Sequence, residues 1–227
     1  MPNIQKQTFS FLKDLAKNNN RDWFNQHKDR YLEAQENMIV FADALLAQMN
    51  SHDNIETLSG KKSLYRIYKD TRFSKDKTPY KSNFSGGFKR ATNQLRGGYY
   101  FHIQPGNSFV AGGFWGPNPE DLKRIREDIS RNYKDWRKLF ANKTFVQTFG
   151  QLKGEQVETA PRGYSKEHPA IELLRNKQFL LKHSFTDTEV LGSDFLKKVN
   201  ATFKHMRPFL NYMSEVLTTD LNGVSLV

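Results

Sequence analysis

The apolar positions first set out a row of helices. In residues 8–17, Phe9, Leu12, Leu15 and Ala16 fall three or four apart, the repeat of one helical face. Asn18-Asn19-Asn20 interrupts the pattern, and Asn20 suits an N-cap with Asp22 in the following first turn. From Arg21 to about Asn50 a stripe of Trp23, Phe24, His27, Tyr31, Ala34, Met38, Phe41, Ala42, Leu45 and Met49 runs without Pro or Gly. It predicts a single helix roughly 40 Å long. Its opening, NNNRDWFNQHKDRY, reads as core with a site border as the alternative, because Trp23, His27 and Arg30 lie within two turns.

The period then changes. After a polar loop over 51–60, Leu64, Arg66, Tyr68 and Asp70 alternate with Tyr65, Ile67 and Lys69, which predicts a strand. Residues 71–85 have no clean period and read as an ordered loop leading to a second strand near 87–91. GYYFHIQ (98–104), the turn Pro105-Gly106-Asn107 and SFVAGGFW (108–115) form the best hairpin signal in the chain. The pair Gly112-Gly113 weakens a strand unless something comes close. A ligand, a bulge or a packed ring such as Tyr80 would serve, and packing is the favoured reading.

Helical spacing returns at Asn118, an N-cap followed by Pro119 and by Glu120-Asp121 in the first turn. Leu122, Ile125, Ile129 and Tyr133 continue the stripe, and further patches follow around Trp136, Leu139, Phe140, Phe145, Val146 and Phe149. Residues 150–169 are loop-rich, 170–177 read as a short helix, and 179–190 as one or two strands. A last helix is expected from Ser193 to about Asp220, kinked or split by Pro208. The order of helices, strands, helices and a late strand lacks βαβ alternation. It predicts an α+β fold: a mostly antiparallel sheet packed against long N- and C-terminal helices. With no repeat and no linker, the expectation is one domain over residues 1–227.

Composition narrows the function only by exclusion. A chain of 227 residues, 37% hydrophobic and 26% charged, can bury a core and carries no disorder signature. It has no cysteine, which excludes disulfides, thiolate nucleophiles and Cys-ligated metal centres. No signal peptide and no apolar run of membrane-spanning length is read, so a cytoplasmic location without a membrane partner is expected. The formal net charge of +11 favours anionic partners, a small molecule or nucleic acid, although the excess is spread along the chain.

One stretch concentrates chemistry. LYRIYKDTRFSKDKTPYKSNFS (64–85) holds Arg66, Lys69, Arg72, Lys75, Lys77 and Lys81 among aromatic rings, with Asp70 and Asp76 inside the same run. No GxGxxG, P-loop or GxSxG motif is present, so no cofactor is indicated. The six histidines never fall at HxH or HExxH spacing, and no metal site is assigned. Three readings follow. In the first, Arg66, Lys69, Arg72, Lys77, Lys81 and Arg162 meet phosphate or carboxylate oxygens while Tyr80, Tyr100 and Trp115 stack on a base or sugar. In the second the protein is an enzyme, with Asp70 or Asp76 orienting a water or substrate and His102 and His168 moving protons. In the third, Arg66–Asp70 and Arg72–Asp76 pair with each other and brace a loop, and exposed aromatics serve a protein-interaction role.

The run RIYKDTRFSKDKTPY resembles the hallmark of a bacterial family of unknown function, DUF2461, through Arg66, Lys69, Asp70, Arg72, Phe73, Asp76, Lys77 and Tyr80. Lys69 stands where the family usually has Arg, giving a point charge in place of a planar fork. The likeness extends to NNNRDWF, to GYYFHIQPGNSFVAGGFW and to PRGYSKEHPA, and so covers most of the chain. It implies no substrate, cofactor or catalytic residue.

Overall fold

The structure is a computed structural model and describes residues 2–220 and 223–227. Its fold is α+β. Strands β1 (Phe84–Lys89), β2 (Gly98–Ile103), β3 (Ser108–Phe114) and β4 (Phe179–Phe185) form one antiparallel sheet in the order β1-β2-β3-β4. The hairpin expected around Pro105-Gly106-Asn107 is β2–β3. Two compact units divide the chain: Met1–Phe88, Tyr100–Val110 and Ser184–Ala201 make the first, Lys89–Tyr99, Ala111–His183 and Thr202–Val227 the second.

The first unit holds α1 (Lys6–Lys17), α2 (Arg21–Gln26), α3 (Lys28–Met49) and α4 (Gly60–Ser63). Phe9, Leu12 and Leu15 of α1 and Met38, Phe41, Ala42, Leu45 and Met49 of α3 are buried, as their spacing demands. Phe41 meets Phe101 of β2 at 6.4 Å and stacks on Phe195 at 5.5 Å. Asn20 caps α2 by accepting from the Trp23 amide. The single helix expected over 21–50 is instead broken at His27. The His27 Nδ1 sits 2.8 Å from the Trp23 carbonyl, competing with the helical amide for that acceptor. Its ring stacks on Trp23 at 4.2 Å, while Arg30 pairs with Asp14.

The second unit holds α5 (Pro119–Arg131), α6 (Tyr133–Phe140), α7 (Lys143–Phe149) and α8 (Ile171–Leu174), the last shorter than expected. The Asn118 side chain caps α5 at the Asp121 amide. Asp128 closes a half-buried knot: Trp136 Nε1 donates to it at 2.6 Å and the Tyr212 hydroxyl at 3.1 Å. The paired glycines answer to packing. A Cβ at Gly112 would lie 2.5 Å from the Met206 sulfur, and Gly113, at φ +127°, lies against the Phe179 carbonyl. These neighbours, rather than Tyr80, require the small residues.

Residues 179–190 form one strand and then a helical turn, α9 (Asp187–Val190), because Thr186 and Glu189 make a capping box. The final helix α10 runs unbroken from Phe195 to Thr218 with Pro208 inside it. Among the described residues no helix is long and apolar enough to cross a membrane.

Candidate functional site

The charged stretch is extended, but not as the strand expected over 64–70. It pairs only through isolated antiparallel bridges, Leu64 opposite Gly86 and Tyr68 opposite Tyr80. The backbone bonds Tyr65 N to Ser85 O and Lys81 N to Ile67 O tie the two sides together. Regular pairing begins at Phe84, three residues earlier than the sequence pattern suggests. Tyr80 fixes the base of this excursion. Its ring is buried and stacks on Phe24 at 4.0 Å, and its backbone N–H and C=O both bond the Asn19 side chain. Such a stack adds about 0.5–1.5 kcal/mol beyond area burial. Burial also pushes the Tyr80 phenol above its ordinary pKa. Beyond the Tyr68–Tyr80 bridge, residues 69–79 project as a finger.

Inside the finger the carboxylates take partners different from those that spacing suggests. The pairs Arg66–Asp70 and Arg72–Asp76 do not form. Instead Arg72 grips Asp70 with two bonds, Nε to Oδ1 at 3.0 Å and Nη2 to Oδ2 at 2.7 Å. Lys69 Nζ donates to Asp76 at 2.7 Å and to the Thr78 hydroxyl at 2.6 Å. The chain turns back at Ser74, so neighbours in space are two and seven residues apart rather than four. The Arg72 side chain and amide lower the Asp70 pKa, and Lys69, then Thr78, hold Asp76 well below the usual carboxylate range. Lys77 donates to the Thr71 carbonyl. Phe73 at the tip is 96% exposed, with the Arg72 guanidinium 5.9 Å over its ring.

Two cations of the motif are treated otherwise. Arg66 is exposed and has no hydrogen bond or ion pair among the described residues. Lys81 has no carboxylate partner among them; its ammonium lies 6.0 Å over the Tyr65 ring, and burial, then Arg66, lowers its pKa. Tyr65 leads onto the sheet. The alternation of β2 and β3 turns Tyr99, Phe101, Ile103, Ser108 and Val110 inward and leaves Tyr100, His102 and Phe109 half-buried on the other face. There Tyr65 stacks on Tyr100 at 6.3 Å and His102 on Phe109 at 4.7 Å. A hydrogen-bond chain runs across this face. Ser85 bonds the Tyr100 hydroxyl, which lies 3.0 Å from His102 Nδ1, and His102 Nε2 lies 2.8 Å from Gln104 Oε1. Because Gln104 Oε1 only accepts, His102 carries its proton on Nε2 and receives one from Tyr100 on Nδ1. Burial raises the Tyr100 pKa. Tyr65, Ser85 and Phe109 escape a motif search, although strand alternation marks Phe109 as outward.

Trp115, Arg162 and His168 belong to the second unit. Trp115 follows β3 and is 74% exposed, and Arg162 is exposed. His168 accepts the Ala170 amide on Nδ1, so the neutral ring holds its proton on Nε2, 2.9 Å from the Ser130 hydroxyl. A cavity of about 640 Å³ in this unit is lined by Glu120, Glu127, Asp128, Asp135, Glu215 and Asp220 against Lys123 and Arg124, the wrong balance for an anion. Among the described residues no group of three or more His, Asp or Glu is arranged to hold a metal ion.

No curated protein and no solved structure matches this chain. The sequence model of a family described as a conserved hypothetical protein, DUF2461, matches residues 7–212 of the 227. That span takes in the finger, the hairpin and the 161–169 loop, and the chain belongs to the DUF2461 family.

Proposed function

We propose that the first unit binds a phosphate- or carboxylate-bearing ligand on the face formed by Tyr65, Tyr100, His102 and Phe109, with Arg66 and Lys81 meeting the anion. The observation that carries this reading is the unequal treatment of the motif's cations. Lys69 and Arg72 are neutralised by Asp76 and Asp70, whereas Arg66 and Lys81 have no carboxylate partner among the described residues, and the Lys81 ammonium lies over the Tyr65 ring. Arg66 supplies a planar fork for two oxygens and Lys81 a movable point charge. The Ser85–Tyr100–His102–Gln104 chain holds the rings in place, so little side-chain freedom is lost on binding.

Thermal shift with nucleoside monophosphates and inorganic phosphate tests the reading. At a hundredfold excess over Kd a ligand stabilises by about 2.7 kcal/mol, which in a chain of this size raises Tm by about 5–10 °C. The rise should vanish in Arg66→Ala/Lys81→Ala. A ligand shift that survives both substitutions puts the anion elsewhere.

A further inference from the structure

The exposed tip of the finger has no role in the core, and its geometry extends the binding face. We infer that the ligand is a single-stranded nucleic acid, one base stacking on the Tyr65–Tyr100 face and another on Phe73. This inference rests on the proposed binding face and adds the class of its ligand.

An isolated exposed Phe is ordinary. Phe73 differs because the finger around it is braced at every turn. Asp70 pins Arg72, whose guanidinium stands 5.9 Å over the Phe73 ring, and the ring stays 96% exposed. The Asp76 amide donates to Ser74 Oγ, the Thr78 amide to Asp76, and Lys77 to the Thr71 carbonyl. The ring is therefore presented at little ordering cost. In the five residues from Lys69 to Phe73 the chain reaches at most roughly 17 Å from the Tyr68–Tyr80 bridge. That reach is several times the ~3.4 Å step between neighbours in a stacked strand. Two separate ring platforms, Phe73 five residues beyond Tyr68 and Tyr65 stacked on Tyr100, suit a polymer with several bases. Arg66, Lys75, Lys77 and Lys81 along the same stretch supply backbone charge. A membrane fits less well, because the single exposed apolar residue at the tip buries too little surface to anchor on a bilayer.

The test is fluorescence anisotropy with a labelled 12-mer oligothymidylate, competed by thymidine monophosphate. The 12-mer should bind at least tenfold tighter than the monophosphate and lose about 10- to 100-fold in affinity between 50 and 200 mM salt. Phe73→Ala should weaken the 12-mer about 5- to 150-fold, the range measured for removing one stacking ring. It should leave thymidine monophosphate unchanged, and Phe73→Trp should restore the 12-mer. Equal affinity for the two probes, or a 12-mer indifferent to Phe73→Ala, overturns this inference and leaves the binding face standing. Failure of wild-type protein to bind either probe removes both. Phe73-dependent sedimentation with phosphatidylserine vesicles, without 12-mer binding, assigns the finger to a membrane and overturns the inference.

Discussion

Two charged regions, the finger at 69–79 and the stretch over 150–176 with the helices that hold it, use their cations in opposite ways. In the second unit, cationic side chains fasten the chain to itself. Arg126 donates to the carbonyls of Leu174 and Asn176, Arg137 to that of Pro169, and Arg175 to that of Val157. His168 joins them through Ser130 and the Ala170 amide. In the finger, cation–carboxylate pairs do the bracing, and the tip ring stays in solvent. A guanidinium on a backbone carbonyl closes a loop, while a guanidinium on a neighbouring carboxylate shapes one without covering it. Charge density alone does not separate these cases; the destination of each donor does.

The contrast breaks most visibly at Arg126. Burial, the larger cause, lowers its pKa, and its acceptors belong to the buried residues Leu174 and Asn176. Arg126→Met leaves two carbonyls without a donor and should cost about 2–4 kcal/mol. In a chain of this size that corresponds to a fall in Tm of about 4–16 °C. Arg72→Met, by contrast, should leave Tm within a degree of wild type, because Arg72 and Asp70 are exposed and such pairs contribute little to stability. Calorimetry on the two variants decides it. Similar losses in both would mean that the loops are built alike.

A smaller effect is expected at Asp70. Asp70 acts electrostatically on Arg66 as well as pairing with Arg72. Asp70→Asn removes a negative charge that competes with the ligand, and thymidine monophosphate should bind about two- to fivefold more tightly at low salt, with the gain fading as salt screens it. A loss of affinity would make Asp70 part of the ligand's own contact set.

How far the fold and site were legible depends on how local each cause is. The caps at Asn20 and Asn118 and the β2–β3 turn lie within a few residues of what they specify, and the structure carries them. At the His27 break the Trp23 carbonyl is shared between the His27 amide and its ring nitrogen, which apolar periodicity cannot register. The alternation over 64–70 is genuine but lacks a partner strand in register, so it yields two bridges. Tyr80 read as a stacking residue because it lies in a charged run. Its burial comes from Asn19 and Phe24, about sixty residues earlier. Likewise the partners of Asp70 and Asp76 are set by a turn at Ser74 that no periodicity announces. The outward rings Tyr65 and Phe109 needed the sheet before they had a shared face.

The finest test concerns whether the finger is braced in solution as the contrast requires. Asp76 is held below its ordinary value of 3.8, first by Lys69 and then by Thr78. For a carboxylate depressed in the folded chain, the unfolded chain binds more protons as pH falls. Its contribution to stability is therefore present above about 3.8 and is lost only as pH drops through the lower folded value. Exposed as the pair is, the loss should barely move Tm, so the carboxyl itself is the better reporter. A side-chain carbon-13 titration should show Asp76 still ionised at pH 4, with its midpoint below 3.8. Lys69→Met should move that midpoint up toward 3.8 while leaving the Asp70 midpoint, set by Arg72, where it was. A wild-type midpoint at or above 3.8 would mean that Lys69 swings free, that the finger is not held by its own ions, and that Phe73 is presented no more firmly than any side chain on an open loop.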